Sequence, residues 1–212
     1  EFRLEQLRGL VEDLSEDRLL DILDEALASR VIEEMPQAVG HYQFTHALMQ
    51  ETLVEELSLT RRVRLHSRIA TAMEALYGDE SQNHAAELAH HFAQAEAVLG
   101  SEKLAYYSLF AGERSLEARA YEEALSHFET GLNAKGISID SEETAQNAET
   151  AAFLSGLGKA QIATSGRQAR IAAVTNLTRA FNYYIEEADP QQAVDIAAHH
   201  LPVNTGRALI ER

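Results

Sequence analysis

From Leu104 onward, small and aromatic residues recur at the separations used by closely packed helix pairs. Gly112, Ala124 and Phe128 are the first set. The small residue of one helix admits the close approach of the next, and the aromatic fills the gap between them. Gly131 takes a further small-residue position. Asn133 to Ser141, with Gly136, reads as a connector, and Ser141 is placed to cap the helix after it. Units of this kind bury their apolar faces only against one another, which commits the second half of the chain to stacked helices.

A looser second set follows. Leu157, Gly158 and Ala160 match a first helix and Ala173, Leu177 and Ala180 a second, with the turn Thr164-Ser165-Gly166-Arg167 absorbing extra residues. After Asp189-Pro190, Ala193, Val194, Ala197 and Leu201 begin another element, which Pro202 ends. The Gly112, Ala124 and Phe128 set stands at the separations expected of a tetratricopeptide repeat, and the later sets are looser versions of it. The pattern at Arg207 to Arg212 is still helical, so the repeats are expected to be truncated at that end and the chain to be a fragment.

Composition agrees with a mainly α fold. Ala and Leu recur throughout, and aromatic residues make up only 7%, with no Trp. The absence of Cys excludes disulfides, thiolate metal sites and a cysteine nucleophile. A net charge of −16 opposes phosphate contacts, so no direct nucleic-acid contact is expected. No apolar run reaches membrane-span length and no signal peptide opens the chain, which gives a cytoplasmic expectation with no membrane partner.

The first 57 residues have a different pattern. Leu4, Leu7, Val11 and Leu14 stand at helical spacing. Ser15 then caps a second helix with apolar face Leu19, Ile22, Leu23, Ala26 and Leu27. Val31-Ile32 and Tyr42 to Phe44 flank Pro36 and Gly40, which are turn-forming residues. Two helices and a hairpin outline a winged-helix-like unit. Its candidate recognition helix carries Glu16, Asp17, Asp21, Asp24 and Glu25, a face that phosphate repels. The short run His41 to Glu51 turns from strand into helix at His46, with Thr45 as the expected cap. Three segments result: residues 1–57, the winged-helix-like domain; 58–100, a connecting helical hairpin; and 101–212, the repeats.

In the connecting segment Ser58 caps a helix from Leu59 to Leu76 that closes at Gly78. Glu55 and Glu56 lie near Arg61, Arg62 and Arg64, and the two charge runs are expected to pair locally and be solvated, with an anion or phosphate site at the arginines as the alternative. The run His84 to His91 raises a metal hypothesis through His84, Glu87 and His91: His84 and His91 share a helix face, and Glu87-x-x-His90 has the spacing used by di-iron bundles. The partner motifs of a di-metal bundle are lacking, and so is the His-Glu-x-x-His order of zinc peptidases. Ala85, Leu88, Ala89, Phe92 and Ala95 form an ordinary core face, which leaves the histidines as flank and gives the expectation of no metal.

No catalytic constellation stands out. Gly156-Leu157-Gly158-Lys159-Ala160 lacks the leading Gly and the Ser or Thr of a phosphate loop, and it falls inside a helix pattern. The fragment is therefore read as non-catalytic.

Tyr42-Gln43-Phe44-Thr45-His46-Ala47-Leu48, then Glu55 to Ser58, Arg61-Arg62-x-Arg64-Leu65-His66 and His84 to Phe92, together resemble one protein group. It is the region following the ATPase domain in large bacterial signal-transducing (STAND-type) ATPases, such as LuxR-family regulators and multidomain adenylate cyclases. Ala180-Phe181-x-Tyr183-Tyr184 resembles the helical-repeat sensor of the same group. The resemblance implies an upstream ATPase domain of the same protein, using ATP/ADP and Mg, with an inducer or protein ligand on the repeats. It also implies that His46 matches the winged-helix histidine of a Met-His-Asp motif that faces the nucleotide phosphates, with Ala47 in place of the Asp. On its own chemistry, His46 either adds a donor to a bound phosphate, or simply packs or satisfies a backbone carbonyl. A free-standing repeat scaffold and a metal-dependent helical enzyme are the alternative readings.

Overall fold

The computed structural model describes residues 1–11, 14–36, 38–164 and 166–200. The expectations for Leu201, Pro202 and the segment Arg207 to Arg212 lie outside them. The fold is mainly α with a small three-stranded antiparallel sheet. Contacts divide the chain into two compact units, residues 1–84 with 90–100, and residues 85–89 with Ser101 onward.

The first unit opens with β1 (Phe2–Arg3), which passes directly into α1 (Leu4–Leu10). Ser15 caps α2 (Glu16–Ala28) by accepting from the Arg18 amide at 3.3 Å. Leu19 and Leu23 are buried, with Ala26 and Leu27 packed against the same cluster. Ile22, expected on that face, is exposed. β2 (Ile32–Glu34) and β3 (His41–Phe44) form the expected hairpin in the register Ile32 opposite Phe44 and Glu34 opposite Tyr42. Gly40 takes a left-handed φ of 75° at the turn, a conformation that costs glycine little.

β1 completes the sheet in the order β1-β3-β2, with Phe2 opposite Tyr42 and their rings stacked at 5.7 Å. The small core is Leu19, Leu23, Ile32 and Tyr42. α3 (Ala47–Glu55) leaves the sheet after Phe44, and α4 (Leu59–Tyr77) follows with Ser58 as its cap and Gly78 at its end, as expected. Gln6 on α1 reaches the Tyr77 hydroxyl at 3.0 Å, and Arg68 donates to the Leu10 carbonyl, so α4 is tied to α1. Among the described residues no ion pair joins Glu55 or Glu56 to Arg61, Arg62 or Arg64, so local compensation is not made by direct pairing.

A 3-10 helix (Gly78–His84), α5 (Ala85–Gln94) and α6 (Glu96–Leu99) precede the repeats. Ala85, Leu88, Ala89, Phe92 and Ala95 are all buried, as their spacing requires.

In the second unit α7 (Glu102–Glu117), α8 (Tyr121–Ala134), α9 (Ala148–Ala163), α10 (Arg167–Glu186) and α11 (Pro190–His200) pack each on the next. Glycines permit the close approach. A Cβ at Gly112 would lie 2.7 Å from Phe128 Cδ1, and one at Gly156 would lie 2.7 Å from both Phe128 Cε atoms. Phe128 is thus held between α7 and α9. Gly158 faces Leu177 in the same way, a Cβ there falling 2.6 Å from its Cγ. In α11 the buried pair is Ala193 and Ile196, whereas Val194 is exposed.

The connector after α8 is longer than the sequence suggests. Ser141 caps no helix; its hydroxyl accepts from the Glu143 amide, and Asn147 caps α9 by accepting from the Thr150 amide at 2.8 Å. Arg179 of α10 holds the connector. It is 4% exposed and donates to the Glu143 carbonyl at 2.7 Å and the Ser138 carbonyl at 3.1 Å.

Candidate functional site

His46 occupies the N-cap position of α3, in extended conformation, and α3 begins at Ala47. The expected cap, Thr45, is used elsewhere. Its hydroxyl donates to the Arg30 carbonyl at 2.7 Å and to Val31 at 3.3 Å, and its amide donates to Val31 at 3.1 Å. Those bonds fix the exit from β3 to the turn that enters β2. The His46 side chain makes no capping bond and is exposed, so the packed reading of this histidine does not hold within the described residues.

α3 itself buries no residue. Leu48 is 71% exposed and Leu53 48%, with Met49 and Val54 also open. Together with Val31, Thr45, His46 and Thr52, this helix lines an open, mostly apolar groove of about 900 Å³. An apolar helical face without cover is unusual for a stable unit.

A second cluster was not apparent from the sequence. His66 on α4 and His90 and His91 on α5 bring one ring nitrogen each to within 4.8 Å of one another. His66 Nδ1 and His91 Nδ1 are 2.9 Å apart, a hydrogen bond in which one ring donates and the other accepts. The ring centroids of His66 and His90 are 5.7 Å apart, and those of His90 and His91 5.2 Å. Burial pushes the His91 pKa down to about 4, assisted by the neighbouring His66 and His90. Burial also lowers that of His66, with His90 and Arg62 adding to the effect. Both shifts favour the uncharged imidazole.

The constellation weighed from sequence, His84 with Glu87 and His91, is not assembled. His84 instead stacks flat on Tyr77, with centroids 3.6 Å apart and an interplanar angle of 8°. Among the described residues His66, His90 and His91 are the group able to surround one ion. The signal was present in the sequence as His66 on the apolar side of a helix and a His-His pair on another, but nothing there aligned the two.

The Gly156 to Ala160 run lies within the buried helix α9, and Lys159 pairs with Asp195 at 2.9 Å, which leaves no phosphate loop. No helix among the described residues is long and apolar enough to cross a membrane. No known protein family, curated protein or solved structure matches this chain.

Proposed function

We propose that this chain is a non-catalytic regulatory segment of a cytoplasmic, multidomain signal-transducing ATPase. In this reading the helical repeats receive an inducer or protein ligand, and the small sheet-containing unit relays that event to an ATPase domain lying outside these residues. The observation that carries it is α3, an apolar helix that buries none of its side chains and presents His46 at its exposed N-cap.

An uncovered face of this kind is stabilised by a partner surface. The ATPase domain, with ADP and Mg bound, is the cover we assign. His46 would then add an N–H donor to a nucleotide phosphate beside the first helical turn. Thr45, tied to the turn before β2, transmits displacement of the sheet directly to that histidine.

The test is made in the intact protein. His46→Ala is expected to weaken ADP binding and raise basal output, and Leu53→Glu, on the same helix but away from the phosphate, to raise basal output by undocking the face. Unchanged ADP affinity together with unchanged basal output in both variants refutes the reading.

A further inference from the structure

We propose that His66, His90 and His91 form a three-imidazole binding site for a divalent transition metal of the zinc class. The reading is independent of the ATPase relay, since none of the three residues is on α3 or lines its groove.

The donor set selects the ion. Three imidazole nitrogens suit zinc, copper, nickel or cobalt, whereas magnesium and calcium require oxygen ligands. With Zn–N bonds of about 2.0–2.1 Å, a tetrahedral site separates its nitrogens by roughly 3.3–3.4 Å. The His66–His91 pair, at 2.9 Å, must open slightly, and the remaining separations, at most 4.8 Å, must close. Small side-chain rotations achieve both, because His90 is exposed and the other two are half-buried.

On binding, the Nδ1–H that bridges His66 and His91 leaves that position. Movement of this proton to Nε2 of the same ring frees both Nδ1 lone pairs without net proton release. Three ligands leave a fourth position for water or an exchangeable ligand. Arg62, one turn before His66, places positive charge near the site and favours an exchangeable ion over a permanent one. The consequence for the fold is a clamp between α4 and the C-terminal half of α5.

The experiment uses the untagged chain, stripped with chelator and titrated with Zn²⁺ alone. Uptake of about one Zn²⁺ per chain is expected, with a rise in melting temperature that follows the free metal concentration. Co²⁺ should give the visible spectrum of a low-coordinate nitrogen site. His90→Ala retains the His66–His91 hydrogen bond, so a purely structural histidine pair predicts no change. The metal site predicts that this variant binds Zn²⁺ at least about tenfold more weakly. His66→Ala should do the same, and His84→Ala should bind as the parent chain does. Absence of saturable Zn²⁺ uptake, or equal uptake by the parent, His66→Ala and His90→Ala, overturns the proposal.

Discussion

Gly156→Ala is the smallest change that tests how the repeats are held together. In an isolated helix the substitution would stabilise by about 1 kcal/mol, because alanine loses less backbone entropy than glycine. Here the new Cβ would fall 2.7 Å from Phe128 Cε1 and Cε2. The ring cannot retreat, since Gly112 of α7 lies against it and Phe153 meets it edge-on with centroids 6.3 Å apart. Overpacking of such a site costs about 1–3 kcal/mol. With the ring confined, the upper half of that range applies, and the net effect is a destabilisation of roughly 1–2 kcal/mol.

The sign should reverse when Phe128 is removed. Phe128→Ala alone costs about 3–5 kcal/mol, because the ring is fully buried. In that background the Gly156→Ala Cβ enters a cavity, and only the gain in helix propensity remains, about 1 kcal/mol of stabilisation. The coupling between the two positions is therefore roughly 2–3 kcal/mol. Urea unfolding followed by far-ultraviolet circular dichroism on the four chains measures it, provided the slope of the transition is the same in each. Equal shifts from Gly156→Ala in both backgrounds, or stabilisation by Gly156→Ala while Phe128 is present, would show that the glycine is not there for close approach.

Two further perturbations address other parts of the fold. Arg179→Ala removes charge-assisted bonds to the Glu143 and Ser138 carbonyls and should destabilise by about 1.5–3 kcal/mol, with faster amide exchange across residues 138–145. Arg179→Lys should not restore it, because a point charge cannot reach both carbonyls from one planar fork. For His91 the folded pKa, about 4, lies below the unfolded value near 6.5. The unfolded chain therefore binds the extra proton first. In chelator, stability is complete above about pH 6.5 and falls as pH drops toward 4, a loss that His91→Phe should reduce in thermal melts across that window.

The helix pairs were legible because their signals are local and mutually consistent. Gly112, Ala124 and Phe128 fix one interface, and Gly158 and Leu177 another, with spacings that survive as contacts. β1 was missed because two residues carry no alternation to read, and its strand is defined by pairing with Tyr42 far along the chain. Ser141 failed as a cap for a similar reason. The connector is held by Arg179, whose bonds to Glu143 and Ser138 span 36 and 41 residues of chain. Val194 and Ile196 show the same limit at finer scale, since both fit a helix and only the neighbouring helix decides which is buried.

The two candidate sites differ in what a sequence can reveal about them. His46 stands out locally, at the change from an alternating strand to a helix, and its position at the start of α3 follows from that change. Whether the apolar face of α3 is covered does not follow, because an amphipathic pattern states only that a face requires a partner. The histidine cluster is the opposite case. His66 is unremarkable on its own helix, and the chemistry of the cluster arises from the packing that brings His66 and His91 within 2.9 Å across 25 residues of chain. A motif search keyed to spacing along one helix selects His84 and Glu87 along with His90 and His91, whereas three-dimensional proximity drops the first two and adds His66 from another helix. The same reasoning makes His90→Ala the more informative substitution. It removes a ligand while leaving the buried pair intact, and so separates a site that binds from one that merely packs.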